Sequence, residues 1–434
     1  MKANKIILSV VLFFSLCFGA AAQTNTFYFM DEVPVRHNMN PAFMPNCSGY
    51  LDFIFPSLYF ELGNNALAFK DLVYNNNNNL VTPFSPNSGG IDKLYKRFPQ
   101  TTALEASFGY NILSFGFRAK EKNYFTFGLS LKADAGLYIP RDVFKFLLYG
   151  TPDEYGVNHF NLNNLGLNAM VYGELGLGYT RQINKKWNFG FKLKGLVGIA
   201  GIFTDVNNLS IDASKDKWTL AADANAYLMN PKYFGWDAAA NKFTTNENFS
   251  NDWKNFIQGL GGALDLGVTF EPVKNLVVSA SVIDLGFIRW NKPQDIIQFS
   301  SNGEFEYNGG IIDENFNLQN TFDSLSNSFL SAFDYTGKQG TDKKINQWLT
   351  TKINVGIEYG VFNNKISFGA LSNTRINQRR VMEEVTLALN FRPADWFKTY
   401  FSYSFTDGRG SNLGFGVSFR MGCINTYLVT DYIP

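Results

Sequence analysis

The sequence predicts an all-β chain, a transmembrane antiparallel β-barrel of about 14 strands, and three observations carry that reading. Apolar and polar residues alternate with a period of two along many segments. Aromatic residues are abundant, with 43 Phe, 21 Tyr and 7 Trp making 16% of the chain, whereas only 17% of residues are charged. Mean hydropathy is nevertheless near neutral at -0.12. A barrel in lipid reconciles the three, because each strand turns apolar residues to lipid and polar ones to the lumen, so hydropathy cancels along it. A β-sandwich or propeller would also alternate, but aromatic-rich outer stripes on long strands suit a lipid belt better.

The chain opens like a secretory signal: Lys2 and Lys5, an apolar run from Ile6 to Phe18, then Gly19, Ala20, Ala21 and Ala22 before Gln23. Cleavage after Ala22 divides the chain into a signal peptide, 1–22, and a barrel domain, 23–434, whose residues 23–50 lead into the barrel. Leu16 stands where a lipoprotein site at Cys17 would need a small residue, and the apolar run is short for a membrane helix. No later stretch has the unbroken apolar length of a spanning helix. Losing the signal removes two of the 38 basic residues and none of the 37 acidic ones, leaving a net charge of −1. That balance suggests neither nucleic acid nor an acidic membrane surface as partner.

Leu167 to Thr180 shows the pattern most cleanly. Leu167, Ala169, Val171, Leu175, Leu177 and Tyr179 fall on one face, and Asn168, Met170, Tyr172, Glu174, Gly176 and Thr180 on the other. The same reading places strands near 51–62, 104–118, 124–137, 167–181, 187–203, 218–228, 262–271, 276–289, 296–308, 351–361, 365–372, 383–391, 397–405 and 412–421. Leu209 to Ala213 is one further candidate. Short helices are expected over Asp142 to Leu148 and Asp252 to Gln258, and where Phe322, Leu325, Phe329, Leu330 and Phe333 recur at helical spacing. They sit in long connections, which makes them candidates to plug or cap the lumen, the alternative being surface loops folded on themselves. The asparagine run Asn75 to Asn79 reads as low-complexity loop.

Alternation turns Glu174, Lys192, Lys194, Asp265, Glu271, Glu358 and Arg420 inward. Such charges either line a selective path or satisfy one another, and the second is commoner. The string Asp284 to Trp290 is expected at a strand end, as a corner or as part of a gate. Cys47 precedes the first expected strand and Cys423 follows the last. Closure of an even-stranded barrel would bring them together, either as a seam disulfide or as two unrelated thiols. The chain has only two histidines, His37 and His159, both outside the expected strands, which disfavours His-dependent hydrolase chemistry. There is no zinc spacing and no phosphate-cradling glycine loop, so no catalytic residue, cofactor or metal is expected.

Several strings resemble a family of Bacteroidota outer-membrane barrels known only as a domain of unknown function. They are Asn40 to Pro45 (NPAFMP), Asn111 to Arg118 (NILSFGFR), Gly178-Tyr179 with Lys192 to Leu196, Asp284 to Trp290, and the ending Tyr427 to Ile433. In outline the chain is also similar to fatty-acid-transporter barrels and, through Asn40-Pro41-Ala42, to barrels associated with type IX secretion. The resemblance implies an outer-membrane location, contact with membrane lipid, and one of two functions. One is a channel or transporter for small molecules, apolar ones included; the other is a structural or accessory partner of other envelope proteins, as in type IX secretion.

Overall fold

The computed structural model describes residues 25–52, 57–66, 73–76, 79–83, 90–149, 157–215, 217–230, 234–240, 242–245, 253–307, 336–407, 409–421 and 424–433. In chain order the elements begin with β1 (Gly49–Asp52), β2 (Leu58–Asn64), β3 (Tyr74–Asn76), β4 (Asn79–Val81), α1 (Gly90–Arg97), β5 (Thr101–Ala119), β6 (Asn123–Pro140) and α2 (Arg141–Tyr149). Next come β7 (Asn158–Asn161), β8 (Gly166–Gln182), β9 (Trp187–Ala213), β10 (Trp218–Met229), β11 (Phe234–Asp237), β12 (Lys242–Thr245), α3 (Trp253–Phe256), β13 (Gly259–Phe270) and β14 (Leu276–Trp290). The chain ends with β15 (Ile296–Tyr307), β16 (Thr336–Gln339), β17 (Ile345–Trp348), β18 (Thr351–Val361), β19 (Ile366–Ile376), β20 (Val381–Ala394), β21 (Phe397–Thr406), β22 (Arg409–Met421) and β23 (Ile424–Ile433).

An antiparallel wall runs β2–β5–β6–β8–β9–β13–β14–β18–β19–β20–β21–β22–β23, with β1 extending β2 along β5 and β17 extending β18 along β14. Its alternation is lipid against lumen. On β8, Leu175 and Leu177 are 44% and 55% exposed, while Glu174 between them and Val171 is 4% exposed. Phe189, Leu266, Val355, Leu387 and Phe401 continue the apolar outer belt on other strands. One end of the barrel carries tight turns, made with left-handed backbone at Lys120 and Glu121, at Asn275 and at Asn363. Aromatic rings gather there, including Trp187 stacked on Phe270 at 4.2 Å and Phe117 on Phe125 at 5.5 Å, as at a membrane interface. The other end carries the long connections.

The strand count differs from expectation in composition rather than size. The wall has thirteen strands among the described residues, β1–β2 and β17–β18 counting as one each. The expected segments near 218–228 and 296–308 hold the strands β10 and β15, but these stand outside it. β9 is long enough to pair with β13 through residues 187–198 and with β10 through residues 201–213, and β10 then pairs with β15 and β15 with β16. The candidate strand Leu209 to Ala213 is the far end of β9 itself. β23 was not expected, because Tyr427 and Val429 pack inward against other apolar residues while Thr426 and Thr430 alternate with them, so its two faces contrast little.

Among the described residues the first and last of the thirteen wall strands run the same way. Among the described residues no ladder joins β23 to β1 or β2; Tyr427 Oη meets Ser57 Oγ at 2.6 Å across this seam. Cys47 Sγ lies 3.8 Å from Tyr124 Oη. Cys423 lies outside the described residues, and a seam disulfide between the two stands as a proposal.

Among the described residues no helix of the long connections plugs the lumen. α2 matches the expected helix and packs on α1 through Phe98 and Phe144, stacked at 3.7 Å, in a cap at the long-connection end. α3 covers part of 252–258, and the segment with Phe322 to Phe333 lies outside the described residues. The asparagine run enters a small hairpin of β3 and β4. Among the described residues, 25–48 fill the short-turn end of the lumen.

Candidate functional site

Residues 25–48 fold back into the short-turn end of the lumen as two 3-10 turns, Thr26–Phe29 and Pro34–Asn38, followed by a tail of turns and bends. Tyr28, Phe29, Met30, Val33 and Val35 form a buried core with Leu371, Ala388 and Tyr400 of the wall. Wall glycines make the seats. A Cβ on Gly267 would fall 2.0 Å from Asn40 Oδ1, one on Gly190 2.0 Å from the Pro41 carbonyl oxygen, and one on Gly369 2.4 Å from the Phe29 ring. The Asn40-Pro41-Ala42 string is therefore a docking element: Thr180 Oγ1 donates to the Pro41 carbonyl at 2.5 Å, and Asn40 Nδ2 donates to the Ala280 carbonyl at 3.2 Å. Further contacts are Asn25 Nδ2 to Thr386 Oγ1 at 3.0 Å, Thr26 N–H to Asp431 at 3.1 Å, and Ser281 Oγ to the Met39 carbonyl at 2.8 Å.

Two ionic layers cross the lumen. The lower ties plug to wall: Arg392 reaches Asp31 at 3.3 Å and Glu358 at 2.5 Å, Lys398 reaches Glu32 at 2.5 Å, and Arg420 reaches Glu32 at 3.3 Å. The upper is made by wall strands alone. Lys194 lies 2.5 Å from Asp284, 2.7 Å from Asp265 and 3.9 Å from Glu174, and Lys132 lies 2.7 Å from Glu174. Lys352, Glu61, Arg375 and Glu384 continue it around the barrel. Lys192 donates to Asn38 of the plug at 2.9 Å and so links the layers.

Asp284 takes its place through a bulge. Its φ is +59°, in the left-handed region that side chains rarely adopt, and its N–H donates to Asp265 Oδ1 at 2.8 Å. Below it Ser279, Ser281 and Ile283 face the lumen; above it Gly286, Ile288 and Trp290 do. The Asp284 to Trp290 string is the last part of β14 and so runs to a strand end, as expected, but it makes no corner. It begins at a mid-strand parity switch and ends on Trp290, buried against Leu196 and Met229 beneath the β10–β15 flap.

Of the inward charges read from sequence, Glu174, Lys192, Lys194 and Asp265 come together in or beside the upper layer, and Glu358 and Arg420 join the lower one. Glu271 sits at the short-turn rim, accepting from the Asn275 N–H at 3.1 Å. Sequence reasoning missed Asp31, Glu32, Glu61, Lys132, Asp284, Arg375 and Arg392 as members of these layers. His37 is buried in the plug with Nε2 2.6 Å from Tyr50 Oη, and His159 lies on β7, which was not an expected strand, beside Asp212 at 2.6 Å. Among the described residues no group of three or more His, Cys, Asp or Glu is placed to hold a metal ion.

Cavities adjoin these layers inside the lumen, and a groove lies on the outer face of the wall. One of about 310 Å³ lies at the short-turn end and is bordered by Asp31, Arg36, Lys185 and Glu271. One of about 80 Å³ lies above the upper layer, reaching Tyr138, Asn377 and Gln378 at the long-connection end. An apolar groove of about 640 Å³ runs along the wall beside Phe189, Phe191, Leu266 and Val282.

Among solved structures, the toluene transporter TodX of Pseudomonas putida is 9% identical over 94% of this chain and 88% of its own, with a TM-score of 0.37. A FadL homologue of Pseudomonas aeruginosa is 9% identical over 91% and 86%, with a TM-score of 0.35. The monoaromatic hydrocarbon channel CymD is 10% identical over 89% of each chain, with a TM-score of 0.35. No curated protein matches the sequence. Residues 41–431 match the family of unknown function DUF5723, and with nearly the whole barrel inside that match the chain belongs to this family.

Proposed function

We propose that this chain is an outer-membrane barrel, exported through a cleaved signal, that admits small solutes past its own N-terminal plug. The observation that supports this most is how the plug is held. Among the described residues every hydrogen bond between residues 25–46 and the strands has a side chain at one end at least, and no backbone ladder joins them. The plug can therefore leave its seat without breaking the sheet, whose ladders hold the barrel by themselves. Space for solute already exists on both sides of it. The lumen cavity at the short-turn end is mainly polar, whereas the groove beside Phe189 and Phe191 on the wall offers apolar surroundings to an apolar cargo.

A Thr26→Cys/Ser402→Cys pair tests the reading, since the two hydroxyl oxygens are 2.6 Å apart. In liposomes, uptake of small solutes should be lost in the oxidised variant and return on reduction. Equal uptake in both states, or none by the wild type, would contradict a moving plug.

A second reading, an accessory partner of an envelope assembly, is favoured by the depth to which side chains fill the lumen, including the buried cluster of Tyr172, Leu196, Ile288 and Trp290. Crosslinking in intact envelopes separates it from the first. Recovery of the chain alone would count against the partner role.

A further inference from the structure

The 80 Å³ cavity above the upper ionic layer is walled by the carboxylates of Glu61, Glu105, Asp134 and Asp284 and by only two cations, Lys352 and Arg375. Asp134 accepts hydrogen bonds from Ser107 Oγ at 2.7 Å and Tyr172 Oη at 3.1 Å. Glu105 accepts from Tyr138 Oη at 3.2 Å and Asn377 Nδ2 at 2.9 Å. All four donors are neutral, and among the described residues neither carboxylate stands in an ion pair. Glu61, 3% exposed, gives one oxygen to Arg375, but its Oε2 has no hydrogen-bond partner and lies 3.8 Å from Lys352 Nζ. The nearby cations do not make up the deficit: Lys132, Lys194 and Arg375 are already engaged by Glu174, Asp265, Asp284 and Glu384, and Lys352, which lines the same cavity, is shared among Glu61, Asp134 and Asp284.

We propose that this cavity is a binding site for a small organic cation, a primary ammonium of short alkylamine size, entering from the long-connection end. An ionised carboxylate accepts at about four lone-pair positions, so Asp134 and Glu105 retain capacity for a charged donor beyond the neutral ones they have. Withdrawing such charges from water without a counter-ion is costly, and an ammonium between them offsets that cost. The rings of Tyr59, Tyr138 and Tyr172 border the same space and attract an organic cation through their faces. One water needs roughly 10–15 Å³ by a comparable measure, so the cavity holds several heavy atoms but falls short of the roughly 300 Å³ of a drug-sized pocket.

The proposal rests on the reading that the lumen admits solute, and its test is binding rather than passage. The full chain in detergent micelles is titrated calorimetrically at neutral pH with ethylammonium, propionate and n-propanol, sodium chloride fixing the ionic strength. Saturable one-to-one binding of ethylammonium alone is expected. The Glu105→Gln/Asp134→Asn variant should weaken it roughly tenfold or more, as loss of charged hydrogen bonds does, and Glu306→Gln on the exposed flap should leave it unchanged. Absence of saturable binding, equal binding of propionate or propanol, displacement by sodium at matching concentration, or unchanged binding in the double variant would overturn the site. If the double variant fails to fold, the selectivity of the wild type among the three probes decides. Binding without uptake in liposomes would remove the transport reading and leave the site; uptake without binding would do the reverse.

Discussion

The two ionic layers of the lumen use the same chemistry for different ends. The upper one joins β6, β8, β9, β13 and β14 through Lys132, Glu174, Lys194, Asp265 and Asp284, so every partner belongs to the wall. The lower one sets Asp31 and Glu32 of the plug against Arg392, Lys398 and Arg420. Breaking the first leaves buried charge that cannot leave the barrel. Breaking the second leaves a plug that can move away and take its charge to water. An ion pair thus locks the fold where both partners are on strands and works as a latch where one partner is on a separable segment.

Lys194→Ala carries the largest expected effect. It strands Asp265 and Asp284 without their nearest cation and should cost about 3–5 kcal/mol of barrel stability, read from urea unfolding in lipid. A loss no larger than that of a lower-layer variant would erase the distinction. Leu175→Arg tests the wall from its other face and should cost about 2–4 kcal/mol if the residue lies near the bilayer midplane. Similar stability of this variant and the wild type would mean that β8 does not face lipid there.

The wall was legible because its signal is local. Leu167 to Thr180 alternates without a bulge, and the same parity picked out Glu174, Lys192, Lys194 and Asp265. Lys132 and Asp134 share the inward parity of Tyr124, Thr126 and Ser130 in an expected strand, so extending the count along it would have found them. Asp284 was out of reach, because a one-residue bulge flips the parity, and an Asp rather than a Gly in the left-handed position leaves no local mark. The plug was hidden for a different reason. Tyr28, Phe29 and Met30 are consecutive apolar residues with no period, and their seats at Gly369, Gly356 and Gly416 lie more than three hundred positions away. The Asn40-Pro41-Ala42 string was visible as a resemblance, but nothing near it in sequence tells that Gly190 and Gly267 leave room for it.

Asp31→Asn should cost less, about 1–3 kcal/mol, and the loss should appear in the plug. Hydrogen exchange of residues 25–46 should quicken while that of the wall ladders holds. Uniform quickening would mean that plug and wall open together.

The smallest expected effect is pH dependence, and it separates the latch from its seat. Burial, and then Lys192, hold the His37 imidazole well below its ordinary 6.5. A seated plug therefore keeps His37 neutral, whereas an unseated one takes up a proton near 6.5. Below that pH the unseated form binds more protons, so the grip on the plug is full above 6.5 and weakens as pH falls, by at most about 1.4 kcal/mol per unit for one group. Asp31 acts in another window. Burial raises its carboxyl, but Arg392 and Lys398 outweigh burial and hold it below the ordinary 3.8, so the latch persists until the pH falls beneath that value. Between pH 6.5 and 5, exchange of residues 25–46, corrected for the intrinsic rate, should therefore quicken in the wild type and in Asp31→Asn alike. In His37→Gln it should stay flat, and an undiminished slope in that variant would show that some other group reads the pH.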